Sequence, residues 1–439
     1  MLLSTSKIIL QELLHKRCKS KKLSERLKGS KIRPMKILLI DVNCKYSSTG
    51  KIVYDLYSRL NADGHEARIA YGRGDLVEEP GIYKFGLDGE TKKHALLARL
   101  TGRNGYYSPK STARLIKYIE DFKPDVIHIH ELHAYFVNHV QLLHYLREKQ
   151  IPVVWTFHCE YMYTGKCGFA YDCRRYMTGC GDCPYLREYV SSLGVDRTVD
   201  LLKDKQEAMQ GLNLGAIVTP SQWLANKTRE TYLGSLGYEI STIHNGIDTN
   251  GIFYIRPAEE QTKLRQQFDI PGDKPLILAV APNIMDVRKG GAMVLELAAA
   301  HPEYYFVLVG ADETKKHADN VQLIARTKDQ AELALWYSAA DIFLICSKAE
   351  NFPTTCIEAL CCGTTVVGLD EGGTAETAPG DYGFFVKNDA SALDGLGQAI
   401  ETQLKRGLSP EQVREFAVEH YDNSVMYGQY LTIYKQIVK

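Results

Sequence analysis

A chain of 439 residues, 45% hydrophobic and 24% charged, has the composition of a soluble globular protein long enough for two domains with separate cores. Lys and Arg balance Asp and Glu at 53 each, so no basic surplus invites a nucleic-acid partner. No stretch is apolar for long enough to span a bilayer, and no secretory signal is visible. Eleven cysteines without an export signal therefore read as reduced thiols or metal ligands in a cytoplasm, which argues against secretion.

The charge is unevenly spread. Residues 1–34 hold ten Lys/Arg against two Asp/Glu, which leaves the remainder at eight net negative charges. Leu2, Leu3, Ile9, Leu10, Leu13 and Leu14 would line one helical face before the basic run HKRCKSKK. Such a segment suits an anionic membrane surface, placing a cytoplasmic protein peripherally on the inner face of the membrane. A disordered basic leader, or a start codon upstream of the true start at Met35, is the plainer reading, and the balance leans slightly towards it.

From Met35 the pattern alternates. Lys36–Val42 is a buried-strand run, followed by the small polar loop Ser47–Gly50 and an amphipathic helix over Lys51–Asn61. Strand, glycine loop, helix at the carboxyl end of a parallel sheet faces phosphate or acceptor. It is neither a Walker loop nor a GxGxxG dinucleotide fingerprint. Further strands are expected at Ala67–Tyr71, Val126–His130 and Val153–Phe157. The alternation implies a doubly wound parallel sheet.

His128, His130 and His133 invite a metal, but no carboxylate or thiol sits at convincing spacing, which disfavours one there. His158 closes a strand at its carboxyl end, the usual place for a functional side chain in an α/β protein. Cys167, Cys173, Cys180 and Cys183 follow within CGFAYDCRRYMTGCGDCP. C-x2-C beside a Gly-rich turn fits a structural zinc, although the first spacer, C-x5-C, is wide; four reduced thiols in a loop is the equal alternative.

Ser221 is a natural N-cap for the helix after IVTP. The polar stretch Arg256–Arg265 fits a domain boundary. A second alternation begins with the strand Leu276–Ala281, then PNIMDVRKGG and a helix over Met293–Ala300. Arg288 and Lys289, at a strand-to-helix loop, suit a diphosphate. Tyr305–Gly310 is the next strand. Ile342–Ile345 then leads into ENFPTTCIEALCCG, residues 350–363. Pro353 suits a first helical turn, and Gly363 ends the helix. Glu350 then sits on the loop at the helix mouth and Glu358 about two turns in. Carboxylates accept hydrogen bonds from sugar hydroxyls, and a helix N-terminus attracts phosphate oxygens.

The run YSAADIFLICSKAENFPTTCIEALCCGTTVVGLDEGGTAE, residues 337–376, resembles the nucleotide-sugar-binding segment of retaining GT-B glycosyltransferases of family 4, with their E-x7-E pair. The likeness is to the subgroup that builds colanic-acid-like and capsular polysaccharides, and it extends from about Met35 to the C-terminus. It implies two Rossmann-like α/β domains facing a cleft. Residues 35–245 would bind the acceptor and residues 246–420 the nucleotide sugar, with His244–Asp248 as a hinge. Residues 421–439 would form a helix crossing back to the first domain.

The resemblance also assigns roles. Glu350, His158 and Lys289 would act in catalysis. Gly50, Arg288, Lys289, Asn351, Phe352, Pro353, Thr354, Thr355 and Glu358 would bind the donor, with Glu358 on the ribose and Glu350 on the donor sugar. Family members commonly follow the histidine with Asp, whereas this chain has Cys159, and the usual Arg ahead of Lys289 is missing. The co-substrate implied is a nucleoside-diphosphate sugar, and the acceptor a glycan or lipid-linked saccharide in surface polysaccharide synthesis. No DxD-type motif sits in a suitable loop, so no catalytic metal is expected. A non-catalytic sugar-nucleotide scaffold of the same fold is the alternative; a nicotinamide oxidoreductase is disfavoured by the missing fingerprint.

Overall fold

Side chains along a strand point alternately to opposite faces, so an unbroken apolar run has both faces covered. In a computed structural model describing residues 33–311 and 318–438, Val126–Ile129, Val153–Thr156 and Ile342–Ile345 are buried at every position. The basic leader lies outside the described residues, apart from Arg33 and Pro34.

The first sheet contains β1 (Lys36–Asp41), β2 (Glu66–Tyr71), β3 (Ile82–Lys84), β4 (Val126–Ile129), β5 (Val153–Thr156), β6 (Leu214–Thr219) and β7 (Ile240–Thr242). Its order is β3-β2-β1-β4-β5-β6-β7, every pair parallel. The second contains β8 (Leu276–Val280), β9 (Tyr305–Val309), β10 (Val321–Ile324), β11 (Ile342–Ile345), β12 (Thr365–Leu369) and β13 (Gly383–Val386). Its order is β10-β9-β8-β11-β12-β13, again all parallel. Both sheets reverse their winding once, between β1 and β4 and between β8 and β11. In open parallel sheets the crevice for ligands opens there, beyond the carboxyl ends of the strands.

Each sheet is sandwiched between two cores. On β1, Leu38 and Ile40 enter one cluster while Ile37 and Leu39 enter the opposite one. On β8, Leu276 and Leu278 separate likewise from Ile277 and Ala279. This period-two partition is why the runs read as strands and why a one-residue slip of register would empty both cores.

The chain crosses between lobes after β7 and returns at its end. The helix Asn423–Ile437 puts Met426, Tyr427, Tyr430 and Tyr434 into the cluster that holds Ile37, Leu39 and Val154 of the first sheet. Gly215 on β6 lets it approach: a Cβ there would sit 2.4 Å from Ile437. Arg256–Arg265 largely coincides with the helix Ala258–Gln267, anchored on the second lobe by buried Leu264 and by Arg265, which donates to the Ala339 carbonyl and to Asp341. Its single buried residue explains the polar sequence.

Candidate active site

The acidic turn is built where β11 ends. Pro353, at φ −67°, precedes the helix Thr354–Cys361, and Gly363, at φ +87°, stops it. The turn is pressed from outside by the loop after β12. A Cβ on Gly372, itself at φ +65°, would meet the Glu350 carbonyl oxygen at 1.7 Å, so only glycine fits.

Glu350 is nearly enclosed, and its Oε1 lies 2.5 Å from Lys289 Nζ and 3.7 Å from Arg288. Lys289 reaches it from the loop between β8 and the helix Gly291–Ala300. Glu358 is buried, and Tyr337 Oη donates to its Oε2 at 3.1 Å. Burial pushes its carboxyl above the usual range, against the pull of the Lys51 ammonium. Lys51 belongs to the first lobe, so charge acts on Glu358 from across the cleft.

The first lobe supplies the opposite wall. The helix after β1 begins at Ser47, so the expected loop Ser47–Gly50 forms its first turn; Ser47 Oγ accepts from Gly50 N–H at 3.2 Å. Thr49 Oγ1 donates to Asp41 Oδ2 at 3.1 Å. At the end of β5, His158 Nε2 lies 3.0 Å from His130 Nδ1, and the His130 ring lies tilted with its centroid 4.1 Å from that of His128. Burial pushes the His158 imidazole down to about 4, so it is neutral at pH 7.

The lobes touch directly. Asn351 donates to the His158 carbonyl at 3.1 Å and accepts from Ser221 Oγ at 2.5 Å. Asn245 donates to the Phe352 carbonyl, and His244 stacks on the Phe352 ring at 4.6 Å. From the second lobe, the Glu376 carboxylate accepts from Gln222 and Trp223 N–H, both at 2.6 Å, at the start of the first-lobe helix Gln222–Glu230. An anion at a helix N-terminus is favourable both by hydrogen bonding and by the helix dipole.

Between the lobes lies a cleft of about 830 Å³. Of the residues picked from sequence, His158, Lys289, Glu350, Asn351, Phe352, Pro353, Thr354, Thr355 and Glu358 line it. Gly50 and Arg288 do not. Gly50 packs under the wall, where a Cβ would come 3.3 Å from the Asn43 carbonyl carbon. The Arg288 guanidinium donates to the Ala349 carbonyl and lies 5.0 Å over the Phe169 ring. Lys51 and Glu131, to which the sequence reading gave no role, also line it, as do His133 and Cys159, which it weighed.

Two sequence profiles match this chain: Glycosyltransferase Family 4 over residues 49–250 and Glycosyl transferases group 1 over residues 260–419. Together they take in both lobes and the cleft. The chain belongs to the family 4, group 1 glycosyltransferases. Over 423 residues it is 24% identical to the putative colanic acid biosynthesis glycosyl transferase WcaC of Escherichia coli K12, covering 92% of this chain and all of that one. The sucrose-phosphate synthase of Thermosynechococcus elongatus superposes with a TM-score of 0.67 at 18% identity, over 92% of this chain and 99% of that one. The Anabaena protein HepE, solved with UDP-glucose, superposes with a TM-score of 0.60 at 15% identity, over 92% of this chain and all of that one. The fold of this glycosyltransferase is therefore GT-B, as the resemblance of residues 337–376 implies.

The four loop cysteines of this glycosyltransferase, Cys167, Cys173, Cys180 and Cys183, line one small cavity, and the Cys167 and Cys183 thiols share a hydrogen bond. The tetrahedral set expected from their spacing is not assembled. Among the described residues the only group that brings three ligand atoms within 4.8 Å of one another is Glu131, His133 and Cys159. No described helix is long and apolar enough to cross a membrane.

Proposed function

We propose that this glycosyltransferase moves a sugar from a nucleoside-diphosphate sugar to a glycan or lipid-linked saccharide, with retention, in the assembly of a surface polysaccharide such as a capsule, exopolysaccharide or O-antigen. The observation that carries the reading is the meeting of Lys289, Glu350 and Glu358 on one wall of a cleft closed by His158 and Lys51 on the other. A neighbour of the same fold solved with UDP-glucose and a relative named for colanic acid synthesis support the donor class and the product class.

In this reading Glu358 accepts hydrogen bonds from the ribose hydroxyls, and Lys289 with the N-terminus of the helix Thr354–Cys361 faces the diphosphate. These groups stabilise the charge that gathers on the diphosphate oxygen as its bond to the anomeric carbon breaks. Glu350 holds a hydroxyl of the reacting sugar, and neutral His158 presents a hydrogen-bonding nitrogen to the same ring. The acceptor oxygen bonds to the face the diphosphate leaves, and its proton passes to the departing diphosphate oxygen. Arg288, whose guanidinium lies 3.7 Å from Glu350 Oε1 and donates to the Ala349 carbonyl, backs the donor site through Glu350. The basic leader would hold the enzyme on an anionic cytoplasmic surface, where lipid-linked acceptors lie.

The test is a panel of nucleoside-diphosphate sugars incubated with the full chain and a lipid-linked saccharide mixture. Release of the nucleoside diphosphate from one donor, with an axial or equatorial product bond matching that donor, is expected. Inversion at the anomeric carbon would overturn retention, and thermal stabilisation by a donor without turnover would leave a sensor or scaffold.

A further inference from the structure

The carboxyl ends of β4 and β5 lie side by side, with Ile129 opposite Trp155. Three residues beyond those ends converge on the cleft. His133 Nε2 lies 2.8 Å from Glu131 Oε2, and the Cys159 thiol lies 3.6 Å from that same oxygen. We propose that Glu131, His133 and Cys159 form a site for one divalent cation of the zinc class, on the first-lobe wall of the cleft. The site is independent of which donor or acceptor the enzyme uses.

Carboxylate oxygen, imidazole nitrogen and thiolate sulfur are the three zinc donors of proteins, at roughly 2.0 to 2.3 Å from the metal, which puts ligand atoms roughly 3 to 4 Å apart. The three atoms here all lie within 4.8 Å of one another, and Glu131 is buried. A self-sufficient Glu131–His133 ion pair accounts for two of the three. It does not account for a thiol aimed at the very oxygen that the imidazole already holds. With a cation seated between them, the proton shared by carboxylate and imidazole and the proton of the thiol are both released, and all three atoms have one partner.

The surroundings fit. His133 Nδ1 lies 2.8 Å from Tyr189 Oη, so an outer partner fixes the ring with Nε2 turned to the cluster, as metal-bound histidines require. All three ligands line the cleft, which leaves the remaining coordination position open towards it. Three protein ligands with an open position distinguish a site that takes up an exogenous oxygen from a closed structural one. The oxygen would be a hydroxyl or carboxylate of whatever occupies the first-lobe side.

The experiment strips the full chain with a chelator and titrates it with Co2+, whose thiolate charge-transfer and tetrahedral ligand-field bands report a cysteine ligand directly. The wild type should bind with a thiolate band that Cys159→Ser abolishes and Glu131→Gln weakens. Tyr189→Phe keeps all three ligands and should weaken binding about 10-fold or more, the usual effect of an outer partner. The double variant Cys167→Ser/Cys183→Ser should keep the band; if the wild type takes two equivalents, that variant should lose one only. A band that survives Cys159→Ser and vanishes in the double variant would move the cation to the loop cysteines and overturn the proposal. So would the absence of any band in the wild type. Should Cys159→Ser not fold, His133→Gln and Tyr189→Phe carry the same decision, with loss or weakening expected in both and an unchanged titration in both refuting the site.

Discussion

Lys289 Nζ and Glu350 Oε1 are 2.5 Å apart on the cleft wall, so the cation proposed for the diphosphate and the carboxylate proposed for the sugar neutralise each other. Donor binding must insert phosphate oxygens beside Lys289 and a sugar hydroxyl beside Glu350. Glu350→Gln keeps the size but removes the charge that steadies an oxocarbenium-like centre. It should lower kcat by roughly 10²-fold or more, on the scale of one well-placed electrostatic contact. Because the substitution also frees Lys289, calorimetry should show nucleoside diphosphate binding at least as tightly as in the wild type. Weaker binding would mean that Glu350 touches the nucleotide.

Glu358 should behave in the opposite way. It is buried, receives Tyr337 Oη and faces the charge of Lys51 across the cleft. A ribose contact is similar in ground and transition states, so its loss weakens binding more than turnover. Glu358→Gln should raise KM for the donor with a smaller effect on kcat, and should weaken nucleoside diphosphate binding. Unaltered binding in the titration would remove Glu358 from the nucleotide site.

What could be read from the sequence follows from which interactions are local. The strand Ile342–Ile345 announces itself because burial on both faces leaves no polar position. The turn between Glu350 and Gly363 is legible because Pro353 and Gly363 punctuate it within 14 residues. The Glu131–Cys159 contact is not local. Its members are 28 residues apart, and only the pairing of β4 with β5 brings them together, which is why the histidines near β4 seemed to lack a thiol. Asn351 was equally opaque: nothing in ENFPTT shows that its amide is spent on Ser221 and His158 of the other lobe.

Asp41 gives a dependence on pH. Its carboxyl is fully buried, Oδ1 has no partner, and desolvation, aided by the nearby Glu131 charge, raises it from 3.8 to about 7. A carboxyl raised in the folded state binds more protons there than in the unfolded chain between those values. Stability therefore falls as pH rises from about 4 to about 7 and stays low above, a loss on the order of 4 kcal/mol if nothing relaxes. Asp41→Asn is neutral throughout and still accepts from Thr49. In metal-free protein its Tm should exceed that of the wild type by several degrees at pH 8 and by much less at pH 5. An equal gap at both pH values would show that Asp41 is not titrating in this range.

The C-terminal helix allows the sharpest test of how the first lobe holds its histidines. Tyr434 Oη lies 2.6 Å from His128 Nδ1, His128 Nε2 lies 2.8 Å from Thr156 Oγ1, and that hydroxyl lies 2.8 Å from Tyr430 Oη. All four side chains are buried, so each phenol removed takes one hydrogen bond from a group with no bulk water to replace it, at about 1–3 kcal/mol. Tyr434→Phe exposes His128 Nδ1 to that cost, and Tyr430→Phe does the same for Thr156. The two costs are linked, because Thr156 can turn its single hydroxyl proton either way and His128 can change tautomer. After one phenol is lost the remaining donors rearrange, so the second loss should cost a different amount from the first. A double-mutant cycle in urea should give a coupling of about 0.5 kcal/mol or more, with the m-value unchanged. Costs that add within about 0.3 kcal/mol would show two separate anchors in place of one network.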